Sequence, residues 1–215
     1  MTDLAAVCAT RGQGDPGIRT WVSAVVKWGV SWPDHAAVLE VGSSSADWIG
    51  WAHRLCPGIT ITALDWRGPK AGAGRRLKGD VLAAVFQPAE FDVIAFISAI
   101  EHIGLGHYSA DPLDVDGDSH AFARCVGWLK PGGFLYADVP HNPSGYRVFG
   151  TKCRIYDDAA INTRFTHPQM TLEHRAYMDL SGNLIPNHTI HRHQDGGHPY
   201  IYCANLWRKD TTDGT

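Results

Sequence analysis

What the chain lacks narrows the field before any motif is considered. It has five cysteines (Cys8, Cys56, Cys125, Cys153 and Cys203) but no CxxC pair. An odd, dispersed set argues against a disulfide framework or a zinc knuckle and for buried, reduced thiols. It has no long apolar run: the longest lies within Val93 to Ile100, far short of a bilayer span. It has no surplus of basic charge, and a formal net charge of −3 supplies no electrostatic footprint for nucleic acid. The first residues include Asp3 and no basic-then-apolar signal pattern, so a cytoplasmic location is expected. There is no internal repeat and no low-complexity tract. What remains is 215 residues, 44% of them hydrophobic, enough to fill the core of a single domain.

The stretch from Ala37 to Asp65 is the most informative part of what is there. Ala37-Val38-Leu39-Glu40-Val41 reads as a buried strand, followed by the small-residue turn Gly42-Ser43-Ser44-Ser45-Ala46. Residues 47–55 read as a helix with Trp48, Trp51, Ala52 and Leu55 on one face. A second strand, Ile59 to Leu64, ends on Asp65. Strand, tight turn, helix, and strand with a terminal acid is the mononucleotide-binding half of a doubly wound sheet. Charge separates the ligands that could use it. A dinucleotide needs glycines at 42, 44 and 47 and helix amides for its pyrophosphate, but the chain has Ser44, and Asp47 stands in the first turn. S-adenosylmethionine carries a ribose diol, an ammonium and a sulfonium and no phosphate, which suits Glu40 beneath the turn and Asp65 facing the ribose.

Val38 to Ser45 resembles the first motif of class I S-adenosylmethionine-dependent methyltransferases, departing from its glycine-rich form at Ser44 and Ala46. Leu64-Asp65-Trp66 resembles the second motif and Lys78-Gly79-Asp80-Val81 the third. Phe91 to Ser98 is similar to the fourth strand, and Trp128 to Leu135 to the helix-turn-strand after it. The resemblance implies a doubly wound, seven-stranded, mostly parallel sheet with the last strand antiparallel. It implies a cofactor lying over Glu40, Gly42, Ser43 and Ser44, with Asp65 on the ribose hydroxyls and Trp66 against the adenine. Asp80 would take the adenine amino group, the Val81 amide a ring nitrogen, and Ser98 would line the site. Residues 1–35 would form a helical cap, 36–140 the cofactor-binding core, and 141–215 the final strands and a substrate-side insertion.

Other elements follow from periodicity. Ile18 to Val30 reads as a helix with Ile18, Trp21, Val22 and Val25 on one face, and Ser119 to Leu129 as another with Phe122, Val126 and Leu129 inward. Phe134 to Val139 reads as the fifth strand and Asp157 to Asn162 as a short helix. Thr171 to Asp179 and Tyr200 to Arg208 alternate as a final antiparallel pair. Arg67, Lys70, Arg75, Arg76 and Lys78 form either a solvated loop after the second strand or a basic rim for an acidic substrate.

Chemistry belongs at the carboxyl ends of the strands. Ser98 to Gly104 ends the fourth strand there and Asp138 to Asn142 the fifth. Methyl transfer needs alignment and, for a hydroxyl acceptor, a base. His102 is the candidate base, since imidazole titrates near working pH, with Glu101 and His141 beside it. These three could also hold a divalent ion, but Ser98 stands where metal-using members carry a further Glu, and no metal is assigned. His188, His191, His193 and His198 crowd a connection between the last two strands and match no metal motif. Asp114, Asp116 and Asp118 alternate as in a calcium loop but lack its terminal Glu, which favours a turn held by Asp side chains. The glycine-rich then acid-rich loop over 101–118, with Arg154-Ile155-Tyr156-Asp157, is similar to a group of methyltransferase-like proteins of unknown substrate. The expected activity is methyl transfer from S-adenosylmethionine to a small polar acceptor such as a sugar hydroxyl, with neither nucleic acid nor membrane as partner. The alternative is a non-catalytic binder on the same fold.

Overall fold

The computed structural model describes residues 35–42, 58–68, 74–108, 112–179, 183–186 and 201–211. The expected helices over 18–30 and 47–55, Ser43, Ser44 and the histidines of the tail lie outside the described residues. The first strand, β1 (Ala37–Val41), is covered on both faces, as a short β-branched run in a parallel sheet should be. It pairs in parallel with β2 (Thr60–Asp65) on one side and β4 (Phe91–Ile97) on the other, and β3 (Arg75–Lys78) extends β2. Arg75 to Lys78 is therefore a strand and not the solvated loop that its charge invites. Its side chains are partly or well exposed, and a charged edge is how a sheet discourages further pairing.

Strand β5 (Leu129–His141) is longer at both ends than its apolar core predicts. Its register jumps from Phe91–Leu129 to Val93–Phe134, so Lys130 to Gly133 form a bulge, with Gly132 at φ 76°. At the far end the chain runs through Pro140 because the Tyr156 amide donates to its carbonyl, and Asn142 donates back to Tyr156. The helix α1 (Gly117–Trp128) buries Phe122, Cys125 and Val126 against the sheet. Lys209 Nζ donates to the carbonyls of Val126 and Leu129, both at 2.9 Å, and caps the helix's negative end. A hairpin of β6 (Arg147–Phe149) and β7 (Cys153–Ile155) follows, then α2 (Asp158–Arg164), whose N-terminus is capped by Asp157 through the Ala160 amide at 2.7 Å.

The last strands are β8 (Met170–Met178), β9 (Leu184–Ile185) and β10 (Ile201–Lys209). Among the described residues the sheet order is β3-β2-β1-β4-β5-β10-β8-β9. β10 runs antiparallel between β5 and β8, as the sequence pattern predicts. The sheet has one strand more than the seven expected, because the two-residue β9 pairs with the outer edge of β8. The order reverses at β1, whose neighbours β2 and β4 lead in opposite directions, and this switch point positions the site. Among the described residues no helix is long and apolar enough to cross a membrane.

Candidate functional site

A cleft opens at the carboxyl ends of β1, β2 and β4. Gly42, Asp65, Trp66, Asp80 and Val81, which the motifs single out, line it. Ser98 and His102 enter from the end of β4. Glu40, Glu101 and His141, chosen on the same grounds, do not line it. Glu40 is buried within β1, and Glu101 lies beneath His102.

The turn after β1 is built on close approach. Gly42 has φ 81°, and its amide donates to the Leu64 carbonyl at 2.8 Å. A Cβ at this position would lie 2.4 Å from Ala99 Cβ, so glycine is required on both counts. Asp65 is buried in the cleft wall, with Oδ1 accepting from the Arg67 amide at 2.8 Å. Asp80 Oδ1 accepts from the Leu82 amide at 2.9 Å, which fixes the carboxylate at the start of the next turn. Among the described lining residues Arg67 is the one permanent cation, and its guanidinium covers the Tyr108 ring at 4.2 Å. A wall with two carboxylates and one cation, already stacked, is poorly made for a pyrophosphate.

Ser98 is a non-glycine residue at φ 45°, a strained conformation at the floor of the site. Its amide and hydroxyl both donate to the buried Asp138 carboxylate, at 3.0 and 3.1 Å. Burial pushes the Asp138 pKa well above the usual carboxylate range, and the nearby Glu101 charge adds to the shift. A lone acid inside an apolar strand carries no sequence pattern of its own, so the strand end at Asp138 does not by itself reveal this bond.

His102 ends the 3-10 turn after β4, and its Nδ1 meets the Lys152 carbonyl. A carbonyl only accepts, so the proton is on Nδ1 and the neutral ring keeps its lone pair on Nε2. Burial lowers the His102 pKa against the raising effect of the Lys152 carbonyl, and the Arg154 and Arg67 charges lower it further. Glu101 Oε1 lies 3.6 Å from Nε2. His107 stacks on the same ring with centroids 5.4 Å apart. His141 is turned elsewhere: it is 1% exposed, with Nε2 3.4 Å from Asp158 Oδ1 and its ring edge-on to Tyr177. Among the described residues no three His, Cys, Asp or Glu side chains are grouped to hold a metal ion.

The acidic loop resolves into local bonds and ion pairs. The Asp116 amide donates to Asp114 Oδ1, while Arg164 reaches both Asp116 and the fully buried Asp118. Tyr156 Oη donates to Asp118 Oδ2 at 2.8 Å. Arg154 is completely buried at the centre of this network.

Comparison with known proteins bears on the fold. Residues 84–166 match a family described as a Caenorhabditis protein of unknown function, DUF268. No curated protein matches the sequence. The solved structures it resembles include the Burkholderia thailandensis 1,6-didemethyltoxoflavin-N1-methyltransferase with bound 1,6-didemethyltoxoflavin and S-adenosylhomocysteine. That likeness has a TM-score of 0.61 at 15% identity and covers 91% of this chain and 80% of that one. A chain from the complex of the Haloferax volcanii Trm112 methyltransferase activator follows at TM-score 0.58, 16% identity and 97% and 98% coverage. The [4+2]-cyclase SpnF is similar at TM-score 0.54, 14% identity and 82% and 75% coverage. At these identities the likeness defines the fold, which is the Rossmann-like fold of the class I S-adenosylmethionine-dependent methyltransferases.

Proposed function

We propose that the protein is an S-adenosylmethionine-dependent methyltransferase acting on a small acceptor. The observation that carries this reading is the convergence, in one cleft at the switch point, of Gly42, Asp65, Asp80 and Ser98 from separate segments. The cleft fits the cofactor on three counts. The close approach at Gly42 admits a ligand over the turn, the buried Asp65 suits a ribose diol, and the Asp80–Val81 segment suits the polar edge of an adenine. Trp66 lines the same cleft, and its indole would lie against the adenine. Bound there, S-adenosylmethionine supplies a methyl carbon already activated by its sulfonium.

The chain's own part is alignment and proton handling. Ser98, held in a strained conformation by Asp138, shapes the floor. His102 Nε2 would take the proton from an acceptor hydroxyl held at this end of the cleft, which makes that oxygen the nucleophile. Glu101, 3.6 Å away, stabilises the resulting imidazolium, and the Lys152 carbonyl keeps the ring in its productive tautomer. His141 has no part in this chemistry, since Asp158 and Tyr177 hold it outside the cleft.

The cyclase on the same fold is the specific reason to keep a second reading, in which the cleft binds the cofactor and transfers no methyl group. Methyl transfer from labelled S-adenosylmethionine, screened over hydroxyl, amine and thiol acceptors, separates the two. A labelled product that His102→Ala abolishes, with cofactor affinity retained, supports the proposal. Cofactor binding without product on any acceptor class sinks it.

A further inference from the structure

We propose that Arg154 is the positioning residue of the acceptor wall, the part of the cleft formed by His102, Ile103, Gly104 and Pro112. The inference rests on the reading of this cleft as a cofactor site with the acceptor at its His102 end. Arg154 has 0% exposure, and its guanidinium is spent almost entirely on backbone carbonyls. One terminal nitrogen donates to Glu101 O at 3.4 Å and Ile103 O at 2.7 Å. The other donates to Asp114 O at 3.3 Å and Val115 O at 3.1 Å. Nε faces Asp118 Oδ1 at 3.5 Å. The rigid fork thus joins two segments that the chain separates by a loop, the turn carrying His102 and the approach to α1.

The described backbone also links those segments directly. The Asp114 amide donates to Gly104 O at 2.9 Å, and Leu105 and Leu113 form a single antiparallel bridge. Gly104, at φ 79°, approaches so closely that a Cβ would lie 2.2 Å from Asp114 O. Arg154 also belongs to β7, and the turn between β6 and β7 carries the Lys152 carbonyl that holds His102. One short hairpin therefore orients the His102 ring from one side and anchors its backbone from the other. Burying a guanidinium costs several kcal/mol that an apolar side chain of similar volume would avoid. A planar fork with five donors is the side chain that can meet four carbonyls in a fixed arrangement, which a lysine cannot reproduce.

The test uses the full chain with Arg154→Lys and Arg154→Met, and Tyr156→Phe as a control that removes a bond to Asp118 and none to the loop carbonyls. Amide hydrogen exchange is read by segment, His102 ring nitrogens by their 15N shifts, and the cofactor half by titration with S-adenosylhomocysteine. In both Arg154 variants, exchange over 101–117 is expected to rise about tenfold or more while β4 and β5 stay protected. The His102 signals should change from one tautomer to a mixture, and Tyr156→Phe should keep the wild-type pattern. A uniform rise across β4 and β5, an unchanged 101–117 segment, or the same loop loosening in Tyr156→Phe overturns the proposal.

A measurement on the wild type covers the case in which neither Arg154 variant folds. If the fork closes the loop, the Arg154 guanidinium protons and the Asp114 amide exchange through one opening event, with matching protection factors once each is divided by its intrinsic rate. Guanidinium protons with much lower protection overturn it. Absence of S-adenosylhomocysteine binding to the wild type would instead count against the proposed function, whatever the exchange pattern.

Discussion

Replacing Gly42 by alanine tests the geometry on which the cofactor site depends, and it separates into two costs. The first is conformational: an L-residue held at φ 81° loses about 1–2 kcal/mol. The second is steric, because the new methyl carbon would stand 2.4 Å from Ala99 Cβ. Overpacking of this kind costs about 1–3 kcal/mol. Gly42→Ala should therefore destabilise by about 2–5 kcal/mol, a large share of a typical domain's stability of about 5–15 kcal/mol. Ala99→Gly removes the obstructing methyl at a cost of about 1–2 kcal/mol from lost burial and added backbone freedom. In the double variant the steric part vanishes and the conformational part stays. Urea unfolding of the four proteins then gives a negative interaction energy of about 1–3 kcal/mol, well outside the additivity expected of independent sites. S-adenosylhomocysteine titration on the same set should show affinity lost in Gly42→Ala and partly restored in the double variant. Additive effects within about 0.5 kcal/mol would refute the claimed contact between residues 42 and 99.

Asp158 carries a pH signature of the cluster that captures His141. The adjacent His141, the Tyr177 hydroxyl and the Arg175 charge hold its pKa at about 2, below its ordinary 3.8. A lowered folded-state value contributes stability above pH 3.8 that is lost as pH falls toward 2. The difference in urea midpoint between wild type and Asp158→Asn should thus be widest near neutrality and close at low pH. A constant gap would contradict the assignment. Arg75 pairs with Glu90 at 3.7 Å across an exposed edge, so Arg75→Ala should change stability by about 0–1 kcal/mol and leave cofactor affinity alone. A larger loss of stability would contradict the reading of this pair as an exposed edge contact.

Much of the fold can be read in the chain, for reasons that differ from element to element. β1, β2 and β4 are short apolar runs because both faces are covered, and their spacing around Gly42 encodes the switch point. β8 and β10 pair as the expected final antiparallel strands, although β10 is covered along nearly its whole length and shows no in-out alternation. The β6–β7 hairpin has no such signal: Val148 and Phe149 are exposed, and each strand is three residues long. Its support is the buried Arg154, whose partners are backbone carbonyls that any sequence would possess. β3 was hidden by its charge, since an edge strand is recognised by its backbone pairing with β2 and not by its side chains. His141 misleads for a related reason. A histidine at a strand's carboxyl end suggests a site, but β5 continues through Pro140 on the strength of Tyr156, and the ring lands against Asp158 and Tyr177. Asp138 shows the opposite error, a residue central to the floor of the cleft whose partner Ser98 lies 40 positions away.

The measurement that tests the central claim most directly is calorimetric titration of wild type and Asp65→Ala with S-adenosylhomocysteine, and of wild type with NAD. The account predicts saturable binding of the adenosyl ligand, no comparable binding of NAD, and a loss of about 10–100-fold in Asp65→Ala, the worth of a hydrogen bond to a charged group. Equal affinity in the two proteins, or binding of NAD in preference, would contradict it.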